Sequence, residues 1–210
     1  MKTLLSSIII FSFGFAALSA QNNYETAMQQ SFEALEQGQV KPAQQMFERI
    51  AIMETDKWVP LYHSVNLLIG ESFETEDKEK RELLLGKAKE LIAEAHDRSP
   101  NNAELLTLEG LLYTSYVTSD PQTYGMIYSS KIAALHQRAM QADSENPRAM
   151  LNALEWNMGS ARFFGNDIKP ICEKVEAVIP MFDSYESDVA FAPTHGLEKA
   201  ERILADCNND

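Results

Sequence analysis

Leu91-Ile92-Ala93-Glu94-Ala95-His96-Asp97-Arg98-Ser99-Pro100-Asn101-Asn102-Ala103-Glu104-Leu105 reads as the close of one amphipathic helix, a Pro/Asn turn and the opening of another. About 46 residues later His136-Gln137-Arg138-Ala139-Met140-Gln141-Ala142-Asp143-Ser144-Glu145-Asn146-Pro147-Arg148-Ala149-Met150-Leu151 repeats the same punctuation. A helical hairpin of that length cannot bury its apolar face alone, so recurrence at a fixed period predicts hairpins stacked into a solenoid.

Working outward, apolar residues keep helical spacing almost everywhere and strand signals are nearly absent. Met28, Phe32 and Leu35 form one stripe, broken at Gly38, and Ala43, Phe47 and Ile50 form the next after Pro42. Trp58, Leu61, Tyr62, Val65 and Leu68 predict a helix ending near Gly70, and Leu84, Ala88, Leu91, Ile92 and Ala95 its partner. The charged stretch between them, Glu71 to Glu82, reads as a solvated loop running into a helix start. Asn101 or Asn102 caps the helix through Leu105, Leu108, Leu112 and Tyr116, while Asn146-Pro147 supplies an N-cap and a first-turn proline to the helix through Leu151, Leu154 and Met158. The expected hairpins span about 23–54, 57–97, 101–142 and 147–182, with a capping helix over about 194–207. Two connections read as long loops: Thr118 to Gly125, carrying Tyr124 with Tyr128 at i+4 beyond it, and Gly159 to Asp167, carrying Arg162, Phe163 and Phe164. For the tyrosines and phenylalanines alike, packing is the first expectation and ligand binding the second, because a long loop needs apolar contacts of its own.

The N-terminus carries an address. Lys2 precedes an apolar run from Leu4 to Leu18, and Ala17-Leu18-Ser19-Ala20 has the small-x-small pattern that predicts cleavage before Gln21. That run is shorter than the roughly 20 residues a spanning helix needs, so residues 1–20 are expected to be a signal peptide, and residues 21–210 an exported, periplasmic domain with no membrane insertion afterwards. The formal charge of the whole chain is -13, from 18 Lys+Arg against 31 Asp+Glu, and becomes -14 once Lys2 is removed. Such acidity argues against nucleic-acid binding, which rests on phosphate neutralisation, and favours a basic protein or peptide partner, or simply solubility.

Cys172 and Cys207 are an even pair in a chain expected to leave the cytoplasm. Cys172 shares a stripe with Ile168, Ile171, Val175 and Ile179, and Cys207 shares one with Leu197, Ala200 and Leu204, so each faces a core. A disulfide and two buried free thiols are both compatible with that pattern. His63, His96, His136 and His195 are scattered, and the chain has no HExxH, CxxC or Gly-x-Ser-x-Gly motif, so neither metal nor cofactor is implied and no catalytic role is assigned.

Ala88, Ile92, Ala95 and Pro100 stand at the second-helix positions of the tetratricopeptide repeat (TPR), and Gly110 with Tyr113 at its first-helix positions. With Ser99-Pro100-Asn101-Asn102-Ala103-Glu104, Asp120-Pro121, Asn146-Pro147-Arg148-Ala149, Phe163-Phe164-Gly165, Cys172 and Cys207, the chain resembles a family of exported TPR-like proteins of Bacteroidetes-type bacteria whose function is unassigned. It departs from that pattern at Asn166-Asp167, where glycines are usual, and at His195, where a Trp is usual. The resemblance implies an all-α, right-handed TPR-like solenoid with a C-terminal capping helix. It also implies that Glu104, Thr107, Leu111, Arg148 and Glu155 face a concave ligand groove. A protein or peptide interaction module, serving as scaffold or adaptor, is the function expected first. The alternative is a small-solute binding accessory protein of an outer-membrane uptake system, with Tyr124, Tyr128, Arg162, Phe163 and Phe164 forming its pocket.

Overall fold

The computed structural model describes residues 23–207, and the expected signal peptide lies outside them. Every regular element among the described residues is helical. A first helix over 23–36 (α1) is followed by α2 (Val40–Met53), α3 (Val59–Glu74), α4 (Lys78–Arg98), α5 (Ala103–Ser119), α6 (Pro121–Ala142), α7 (Pro147–Phe164), α8 (Lys169–Val178), the single turn α9 (Met181–Ser184) and α10 (Leu197–Cys207).

The helix starts are set chemically. Asp77 accepts from Glu79 N at 2.9 Å, Asn102 from Glu104 N at 2.9 Å, Asp120 from Thr123 N at 3.0 Å and Asn146 from Arg148 N at 3.0 Å, each satisfying a donor the helix cannot. Pro121 and Pro147 then occupy first-turn positions where no amide donor is needed. Arg98 works at the opposite kind of end. Its guanidinium donates to the carbonyls of Ala51, Glu54 and Lys57 at 2.8–3.0 Å, fastening the end of α4 to the end of α2.

Three expectations are corrected here. The chain from Thr118 to Gly125 is no loop: α5 ends at Ser119, Asp120 alone connects, and Pro121 opens α6. The stretch from Gly159 to Phe164 is likewise helical, because α7 continues to Gly165, whose φ of 70° supplies the left-handed stop. Helix α3 runs on past Gly70 to Glu74, so only residues 75–77 separate it from α4.

Packing follows a solenoid. Within hairpins α3 lies on α4, α5 on α6 and α7 on α8; between hairpins α3 touches α5, α5 touches α7, and each second helix touches the next first helix. The central core joins Leu61, Val65 and Ile69 of α3 to Leu85, Ala88 and Ile92 of α4, Leu105 and Leu112 of α5, and Ile132 and Leu135 of α6. A satellite core under hairpin one holds Tyr24, Met28, Phe47 and Val59, and a third, around Leu151, Met158, Val175 and Ala200, seats α10 against α8. Cys172 and Cys207 are joined by a disulfide that closes a 35-residue separation, tying α10 to α8.

Candidate functional site

One end of the face formed by the first helices is covered by the chain itself, which contacts α1, α3 and the start of α7 there. From Tyr185 to Gly196 the chain runs back across it as an irregular strap with a turn at 188–191. Tyr185 donates its hydroxyl to Asp143 at 2.6 Å and lies 5.1 Å under the Arg148 guanidinium. Further along, Pro193 is buried, and Phe191 reaches Tyr24 and Phe32 with ring centroids 5.8 and 6.1 Å apart. His63 Nε2 sits 2.8 Å from the Phe191 carbonyl oxygen. Phe191 holds a φ of 62°, a conformation costly for a bulky residue, and these aromatic and polar contacts are what offset it.

This placement corrects part of the groove expected from the sequence. Glu104, Thr107 and Arg148 are each at most 7% exposed and belong to the interior. Glu104 Oε1 accepts from Arg148 Nε at 2.9 Å and from Asn146 Nδ2 at 2.7 Å, and Thr107 donates to the Ala103 carbonyl. The physical reason is charge burial: two opposite charges on neighbouring first helices are stable inside only as a hydrogen-bonded pair, so they hold α5 to α7 instead of facing a ligand. Tyr124 and Tyr128 follow the packing expectation. They stack at 5.8 Å and join Tyr113 and Tyr116 in a ring cluster, with the Tyr124 hydroxyl donating to Glu82 at 2.8 Å.

Phe163 and Phe164 do not tuck in. They are 70% and 74% exposed, on the last turn of α7, and with Met126 (95% exposed) they rim an apolar cleft of about 1010 Å³ between α5, α6 and α7. Leu111 and Glu155 line it too, whereas Tyr124, Tyr128 and Arg162 do not. Its walls have a simple origin. Asn152, Trp156, Gly159 and Phe163 form one helical stripe on α7, and Gly125 and Ser129 stand one turn apart on α6; the small residues leave the space that the large ones frame. Sequence reasoning missed Met126, Trp156, His136 and Lys199 as lining residues. The Gly/Ser spacing on two neighbouring helices is the signal that could have found them, but in the sequence alone it reads as loop.

His136 sits at the inner end of the cleft, 3% exposed, with no hydrogen-bond partner for Nδ1. Its ring lies directly against α5, where a Cβ on Gly110 would come within 2.8 Å of Cε1, so only glycine leaves room. Burial, reinforced by the Lys199 charge, pushes its pKa down to about 4 and keeps the imidazole neutral. Lys199, from α10, lines the same end and pairs with Glu155 at 2.5 Å. Nearby, Glu109 binds His96 and Lys131 at 3.1 and 3.0 Å; burial alone would raise its pKa, but those two donors hold it below the ordinary value. Among the described residues, no cluster of three or more His, Cys, Asp or Glu is placed to hold a metal ion, and no helix is long and apolar enough to cross a membrane.

No protein-family model and no curated protein matches the chain. Among solved structures it is similar to the HusA haemophore from Porphyromonas gingivalis, with a TM-score of 0.76 and 20% identity over 89% of this chain and 93% of that one. It is also similar to TTC0263, a TPR protein of Thermus thermophilus, with a TM-score of 0.61 and 15% identity over 94% of this chain and 88% of that one. One of these comes from a member of the Bacteroidetes and the other carries the repeat by name. The architecture is therefore that of an all-α, TPR-like helical-hairpin solenoid closed by a C-terminal helix.

Proposed function

We propose that this protein is an exported, non-catalytic binding module that carries a large, flat, apolar small molecule of the tetrapyrrole class in the cleft between α5, α6 and α7. The observation that carries this reading is the exposure of Phe163, Phe164 and Met126 around a cleft of about 1010 Å³. Small-molecule sites are concave and mostly apolar with a few convergent polar groups, and volumes up to about 1,000 Å³ suit drug-sized or larger ligands. The fold likeness to a haemophore supplies the ligand class to test first. Export rests on the Lys2 to Ala20 leader pattern, and in that setting delivery to an outer-membrane uptake system is the matching role.

Titrating the purified protein with protoporphyrin IX, followed by absorbance and by quenching of tryptophan emission from Trp156, tests the reading. We expect saturable one-to-one binding, weakened about tenfold in a Phe163→Ser/Phe164→Ser variant through lost apolar contact. Absence of saturation, or identical binding by that variant, overturns it.

A second reading, a protein or peptide interaction module, is favoured by one observation. Arg162, Phe163 and Phe164 are consecutive and all exposed, and aromatics with arginine dominate interface hot spots. The acidity of the chain would favour a basic partner.

A further inference from the structure

The cleft has two unlike ends. One, beside the last turn of α7, is built from Val117, Pro121, Met126, Phe163 and Phe164. The other, toward the start of α7, gathers Asn152, Glu155, His136 and Lys199. Twelve residues of α7 separate Asn152 from Phe164, which at 1.5 Å per residue is about 18 Å. Lys199 is the sole cation among the described residues lining the cleft, on a chain with far more Asp and Glu than Lys and Arg.

Resting on the small-molecule reading above, we propose that the cleft selects an amphipathic ligand bearing a carboxylate, and that Lys199 receives this carboxylate by exchanging Glu155 for it. The apolar body then lies along Trp156 toward Phe163 and Phe164. The exchange costs little. The Lys199 and Glu155 side chains are 32% and 40% exposed, and a pair so wet contributes little to stability, so Glu155 is free to return to water. A ligand carboxylate seated against an apolar wall is in a drier setting, where a charge-assisted hydrogen bond gains strength. The ammonium is also preorganised. Lys199 adjoins Ala200, which is fully buried, and the Cys172–Cys207 disulfide holds α10 to α8.

The test compares protoporphyrin IX with its dimethyl ester, which has the same ring and no free carboxylate, on the wild-type protein, Lys199→Met and Glu155→Gln. We expect the wild type to prefer the acid, Lys199→Met to lose about tenfold on the acid and nothing on the ester, and Glu155→Gln to gain on the acid because Lys199 is released. If the wild type binds acid and ester equally, or if its preference survives Lys199→Met, the carboxylate role is overturned while the cleft reading stands. Binding of neither probe overturns both.

Discussion

The Nε2 of His63 and the carbonyl oxygen of Phe191 lie 2.8 Å apart although 128 positions separate them in the chain. One hydrogen bond thus pins the strap from behind the fourth hairpin onto the second, beside a first-hairpin aromatic nest of Tyr24, Phe32 and Phe47. Phe191→Ala removes the half-buried ring while relieving little of the backbone strain. We expect a loss of about 1–2 kcal/mol and faster amide exchange across residues 185–196. Unchanged exchange in that segment would contradict the anchoring role.

Acid should weaken the fold early. Burial pushes both His63 and His136 down to about 4, from an ordinary value of 6.5. Above pH 6.5 neither imidazole takes up a proton on unfolding. Between 6.5 and about 4 the unfolded chain binds protons that the folded chain refuses, so stability is lost as the pH is lowered, by on the order of 3 kcal/mol per histidine at the acid end. Glu109, held below its ordinary 4.5, adds a further loss at still lower pH. Denaturation midpoints at pH 7 and pH 4.5 measure the effect, and His136→Leu should flatten the upper part of the profile.

Gly110 and His136 share one space. A methyl at position 110 would meet the ring at 2.8 Å, so Gly110→Ala should cost about 1–3 kcal/mol through overpacking. The cost should largely vanish in a His136→Ala background. A double-mutant cycle with no coupling between the two sites would refute the contact.

Arg148→Met leaves Glu104 buried without its cation, and Glu104 Oε2 already has no hydrogen-bond partner. We expect a loss of about 3–5 kcal/mol, against a much smaller loss for Glu104→Leu/Arg148→Met together. Urea unfolding of the single and double variants distinguishes them.

Reducing the Cys172–Cys207 bond releases a constraint spanning 35 positions, for which chain entropy gives about 3–4 kcal/mol. The thermal midpoint should drop in reductant, with α10 the first segment to lose exchange protection.

Much of the fold was legible from punctuation. Asn102 and Asn146-Pro147 cap the helices their positions implied, because a cap is a local matter between one side chain and the next two amides. Asp120-Pro121 carries the same signal, yet the Thr, Ser and Gln around it disguise a one-residue connection as a loop. Gly159-Ser160 misleads for a related reason. Small residues inside a helix look like a break until a neighbouring helix shows that they line a cavity. The site was less legible, since it depends on what lies far away in sequence. No periodicity reveals that Glu104 and Arg148 neutralise each other across two hairpins, or that residues 185–196 cover one end of the face those two were expected to line.

The strap also changes how the molecule should come apart. A ladder of repeats coupled only to nearest neighbours frays from its ends, in steps. Here the same short segment touches α1 through Phe191 and α7 through Tyr185, so loosening either helix should loosen the other. We expect intact protein to unfold in a single cooperative event, and cutting the chain within 185–196 to restore the stepwise melting of an ordinary array.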